Sequence, residues 1–89
     1  MSNNEFIKIS KKAVVDYFNS KKEKQDSFIL TEDDVYVVWI CKTLQNNKTL
    51  ISTNIVDGMY YEITYNGDKK ELYVDAYKKW DNFVIKYEG

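Results

Sequence analysis

Apolar and polar positions change their period twice along this chain, and each change marks an element. Over residues 5 to about 22, Phe6, Ile7, Ile9, Ala13, Val14, Tyr17 and Phe18 fall within one half of a helical wheel, and Lys8, Lys12, Asp16 and Asn19 take the other. The pattern predicts an amphipathic helix with Asn3 or Asn4 as N-cap, and with Lys21, Lys22 and Lys24 where the helix dipole favours positive charge. Residues 23–34 form a polar connection interrupted by Phe28, Ile29 and Leu30, an apolar clip expected to dock the loop on the core. Thr31 and Asp34 have a capping spacing, which predicts one helical turn before the next element.

A period of two then takes over. Residues 35–44 are rich in β-branched and aromatic side chains and apolar on both faces as far as Ile40, which suits a central strand or one whose second face meets something else. Gln45, Asn46, Asn47 and Lys48 predict a turn, and residues 49–56 alternate as a second strand. Asp57-Gly58 predicts a tight hairpin, because a type I′ turn needs positive φ at both central positions; a third strand over 59–65 follows. Asn66-Gly67 closes another hairpin into a fourth strand beginning near Lys70. Beyond Val74, Leu72, Ala76, Trp80 and Val84 recur every fourth residue, with Tyr77, Phe83 and Tyr87 beside them. That spacing predicts a second helix from about residue 75 to 86, although residues 71–77 also alternate as a strand would. The expected fold is α+β and two-layered, one domain over residues 1–89. Its order is N-terminal helix, four-stranded antiparallel meander and C-terminal helix, with both helices on one sheet face.

Strand register divides the sheet into two sides. With Lys42 in solvent, Tyr36, Val38 and Ile40 share the outer side and Val35, Val37, Trp39 and Cys41 the inner one. Ser52, Asn54, Tyr60, Glu62, Thr64, Glu71, Tyr73 and Asp75 join the outer side. A tyrosine-rich face without helix cover marks a contact surface, since tyrosine offers large area with few torsions to freeze. Tyrosine is also simply a good strand former, and cross-strand aromatic pairs stabilise a sheet with no partner. The run from Tyr36 to Ile40 tips the reading towards an interface, with self-association through that face as its simplest form.

Composition removes more chemistry than it adds. The chain has no histidine, no proline and one cysteine, and its 13 basic residues are all lysines, against 14 acids for a net charge of −1. Without histidine there is no side chain poised near neutral pH and no Ser-His or Cys-His pair. Without arginine there is no planar fork for phosphate or a guanine edge. A lone Cys41 makes neither an internal disulfide nor a zinc site, which fits a reducing compartment, and its strand position predicts a small buried hydrophobe. Glu32, Asp33 and Asp34, with Asp57 and Asp75, match no recognised metal loop, so no metal or cofactor is expected. The first residues lack a basic-apolar export pattern and no apolar run reaches membrane-spanning length, so no membrane partner is expected. The lysine pairs 11–12, 21–22, 69–70 and 78–79 leave a second reading open, a weak nucleic-acid-binding accessory using lysines and exposed aromatics. Double-stranded-RNA-binding modules share the order helix, strands, helix. Here, however, the expected second helix starts at Asp75 without a lysine cluster, and the meander has a fourth strand.

The segments Val-Tyr-Val-Val-Trp at 35–39, Cys-Lys-Thr-Leu-Gln-Asn-Asn-Lys at 41–48, Asp-Gly-Met-Tyr-Tyr-Glu-Ile-Thr-Tyr-Asn-Gly-Asp-Lys at 57–69 and Asp-Ala-Tyr-Lys-Lys-Trp at 75–80 carry a resemblance. Together they resemble an uncharacterised family of small proteins encoded by temperate phages and prophages of Gram-positive bacteria. The resemblance supplies no catalytic residues; it implies expression in a bacterial host's cytoplasm and action by binding a host or phage protein. The expected function is therefore non-enzymatic protein-protein binding, to a partner or to a second copy. Tyr36, Val38, Ile40, Tyr60, Glu62 and Tyr73 are its contact residues.

Overall fold

The computed structural model describes residues 1–21 and 28–87. Helix α1 (Asn3–Lys21) is followed by a 3-10 turn (Glu32–Asp34) and strands β1 (Val35–Thr43), β2 (Asn46–Thr53), β3 (Met59–Asn66) and β4 (Glu71–Lys78). The strands form one antiparallel sheet in the order β1-β2-β3-β4, the expected meander. The protein is thus an α+β fold of one N-terminal helix on a four-stranded sheet.

Helix α1 packs on the sheet through Phe6, Ser10 and Val14, spaced four apart, with Ile9, Val15 and Phe18 at the margins. Ser10 at the middle of that stripe keeps the helix close to the strands. Its N-cap is Ser2, not Asn3 or Asn4: the Glu5 amide donates to Ser2 Oγ at 3.1 Å. Lys21 closes the described helix, and the expected continuation through Lys22 and Lys24 lies outside the described residues. The core is completed by Leu30, Val35, Ile51, Tyr61 and Ile63, all buried. Of the expected apolar clip, Leu30 docks. Asn19 fixes it in both directions, with Nδ2 donating to Leu30 O at 3.0 Å and Oδ1 accepting from Leu30 N at 2.9 Å. Ile29 stays exposed. The expected single turn at Thr31 forms: the Thr31 amide and hydroxyl both donate to Asp34 Oδ2, at 2.9 and 3.1 Å.

The hairpins form where turn residues predict them, by other means than expected. The first turn is Leu44 and Gln45 rather than residues 45–48, with Leu44 at φ +56°, so Asn46 already belongs to β2. Asp57-Gly58 does not make a type I′ turn: β2 ends at Thr53, only Gly58 has positive φ, and Asp57 Oδ1 instead accepts from the Met59 amide at 3.0 Å. At the third turn the left-handed residue is Lys70.

The C-terminal helix expected over about 75–86, and with it the pair of helices on one sheet face, is not present. Residues 75–78 extend β4, where Asp75, Ala76, Tyr77 and Lys78 pair with Glu62, Tyr61, Tyr60 and Met59. Residues 79–87 carry no regular structure, and the Lys79 amide still follows the hairpin, donating to Gly58 O at 2.7 Å. The alternating pattern wins over the four-residue period here because β3 offers a ready ladder. A helix of this length has no intrinsic stability to compete with it.

A candidate protein-binding face

One side of the sheet carries α1 and, among the described residues, the other is open. Cross-strand rows define the open side: Tyr36, Ser52, Tyr60 and Tyr77; then Trp39, Leu50, Glu62 and Asp75; then Cys41, Lys48, Thr64 and Tyr73. The opposite rows hold Val37, Ile51, Tyr61 and Ala76, then Ile40, Thr49, Ile63 and Val74, under or beside the helix. Of the six residues expected at the contact, Tyr36, Val38, Tyr60, Glu62 and Tyr73 therefore share the open face.

Ile40 does not. A bulge between Val37 and Trp39 places Val38 and Trp39 together opposite Leu50, and every side chain beyond it changes side. Ile40 consequently packs against the core, and Trp39 and Cys41 face outwards. Cys41 is an exposed free thiol rather than a buried hydrophobe. Lys42, taken as the solvent marker, lies on the helix side; it escapes burial because it sits at the sheet's end, where its Nζ donates to Met1 O at 3.3 Å. The bulge is held chemically: Thr49 Oγ1 donates to the Trp39 carbonyl at 2.7 Å. Nothing in the sequence marks a bulge inside an apolar run, so Trp39 was missed as a member of this face. Tyr77 was missed because residues 75–86 read as a helix, and Leu50, on the side of Ser52 by alternation, was not counted with it.

The face is aromatic with a mixed polar margin. Tyr36, Val38 and Trp39 on β1 and Tyr73 and Tyr77 on β4 are each 40–53% exposed, and Leu50 and Tyr60 between them are half-buried. Ser52, between Tyr36 and Tyr60, donates to Met59 O at 3.1 Å and lies low between the rings. Towards the turn end, Trp39, Cys41, Thr43, Lys48 and Thr64 line a depression of about 450 Å³. Charges there are internally matched: Lys48 Nζ lies 3.3 Å from a Glu62 carboxylate oxygen, and Tyr73 OH donates to Glu71 Oε2 at 2.8 Å. That hydrogen bond holds the Tyr73 phenol above its ordinary pKa of 10.0, and burial does the same for Tyr61 across the sheet.

Such a surface offers area, ring faces and a few donors. Among the described residues no three His, Cys, Asp or Glu side chains group as metal ligands, and no helix is long and apolar enough to cross a membrane.

One helix laid over one side of a meander, with an aromatic face bare on the other, defines a small helix-on-sheet α+β protein. The chain belongs to DUF6275, a family of unknown function, whose model matches residues 7–87. No curated protein and no solved structure matches it.

Proposed function

We propose that this is a non-enzymatic accessory protein that acts by binding another protein through the open sheet face. The observation that carries this reading is the continuity of Tyr36, Val38, Trp39, Leu50, Tyr60, Tyr73 and Tyr77 across all four strands, with no helix among the described residues packed over them. Aromatic residues with a polar rim are the composition that interfaces favour. On the family resemblance, the partner is a host or phage protein, or a second copy of the chain, in a bacterial cytoplasm. The nucleic-acid alternative finds less support on this face: its described lysine, Lys48, is paired with Glu62, and Glu71 and Asp75 stand nearby. A backbone-tracking surface needs unpaired positive charge.

The test is a double variant, Val38→Asp with Tyr60→Lys, used as bait in reciprocal capture and in self-association measurements. Val38 is exposed and Tyr60 half-buried, both on the face away from the core, so the fold should survive, as read by circular dichroism. Partner capture or face-to-face self-association should weaken at least tenfold, the scale of losing about 1.4 kcal/mol at a contact centre. Full retention of both would refute the proposal. Salt-sensitive binding to DNA that Lys48→Ala abolishes would favour the alternative.

A further inference from the structure

The helix side of the sheet is only partly covered. Four strands span roughly 15–20 Å and one helix is about 10 Å across, so a single helix cannot roof them all. Helix α1 packs chiefly over β1, β2 and β3, and β4 is exposed except at Leu72, which packs against the core. On β4 Leu72 is half-buried, Val74 is 38% exposed and Ala76 is exposed. These three form an apolar strip directly beside the core, since Val74 and Ala76 pair with the fully buried Ile63 and Tyr61.

The same chain carries side chains suited to that strip and leaves them in water. In residues 79–87 Trp80, Phe83, Val84, Ile85 and Tyr87 are all exposed, Trp80 at 96%. As a helix this segment would place Trp80, Phe83, Val84 and Tyr87 in a stripe roughly 100° wide, with Lys79, Asp81, Asn82 and Lys86 outside it and Ile85 the one apolar exception. A helix so short does not persist alone in water, so it needs a surface to fold on.

We propose that residues 80–87 of one copy fold as this second helix on the β4 strip of a second copy, and that the exchange is reciprocal. The proposal does not rest on the open face. The connection argues for a second copy over the chain's own strip. Lys79 is tied to Gly58 O at 2.7 Å, and the strip runs back along β4 from that point. A strand-to-helix reversal uses about two to three residues, which here would take Trp80, Asp81 and Asn82 out of the helix and leave barely more than one turn. Reaching outwards to a neighbour loses nothing. Buried area also matches: three aromatics at about 150–250 Å² each give roughly 450–750 Å² per arm, so two arms and their acceptor strips reach the size of a standard interface. The radius of gyration of the single chain, 15.1 Å, exceeds the ~12 Å of a fully packed chain of this length.

Sedimentation equilibrium on the intact chain, with two full-length variants, tests this. Trp80→Asp with Phe83→Asp removes the arm's anchors, and Val74→Asp spoils the strip. The intact chain should be dimeric with extra helix by circular dichroism and a tryptophan emission blue-shifted relative to that of Val74→Asp, which keeps both Trp39 and Trp80. Each variant should associate at least tenfold more weakly and lose that helix. A mixture of the two variants should restore a one-to-one complex, because one intact arm meets one intact strip. A monomeric intact chain, or a dimer that survives both variants, overturns the proposal. The second result would be open-face pairing, which the Val38→Asp, Tyr60→Lys variant identifies separately.

Discussion

Gly67 and Leu44 meet at the same end of the sheet and need opposite things from the backbone. Leu44 takes φ +56° with its side chain 83% exposed, a left-handed conformation that would suit glycine. Gly67 has no positive φ, yet a Cβ there would run into the Gln45 carbonyl oxygen. Two further contacts join these turns: Gln45 Nε2 donates to both Asp68 carboxylate oxygens at 2.8 and 3.0 Å, and the Gly67 amide donates to Asn46 Oδ1 at 3.2 Å. Gly67→Ala should therefore cost about 1–3 kcal/mol by overpacking against backbone, measured by urea unfolding. A neutral outcome would mean the two turns are not clamped. The Asn66-Gly67 pair was legible as a turn, but its reason was not. A sequence shows that glycine stands at a turn, whereas the neighbour it must avoid comes from another hairpin.

At the scale of the element, β1 decides the face. Deleting one residue inside a strand normally moves every later side chain to the wrong side. Here Val38 is the extra residue of the bulge, with Val37 opposite Ile51 and Trp39 opposite Leu50. Removing Val38 should leave both pairings and the burial of Ile40 intact, at a cost of about 1 kcal/mol or less, the ordinary effect of a half-exposed site. Removing Ile51 from β2, where no spare residue exists, should abolish folding. Amide spectra of the two deletions check this directly: a native-like spectrum for the first and a collapsed one for the second. The amphipathic α1, the strand order and the Thr31–Asp34 turn were all readable because each rests on local spacing. The inward turn of Ile40 was not, because a bulge is a property of two strands. Alternation counted from Lys42 alone inherits its error.

For the whole molecule, uneven cover sets the order of opening. β2 lies between two strands and under α1, with Ile51, Ser52 and Thr53 buried, whereas β4 is an edge strand with seven of its eight residues exposed. Hydrogen exchange at low chain concentration should therefore release β4 amides first and β2 amides last, since local opening follows buried contact. Protection in β4 equal to that in β2 in a monomer would contradict this cover. The C-terminal pattern belongs at this scale too. The four-residue spacing of Trp80 and Val84 was legible as a helix, but a pattern states what a segment would bury and not whether a surface is within its reach.

Cys41 gives the open face a use of another kind. As the chain's one thiol, exposed in the row with Lys48 and Tyr73, it accepts a single maleimide dye or spin label without mutagenesis. A probe there sits beside Trp39, within quenching distance of its indole, and reports any molecule that settles on those rings. The arm and its strip, on the far side of the sheet, would leave that signal unchanged.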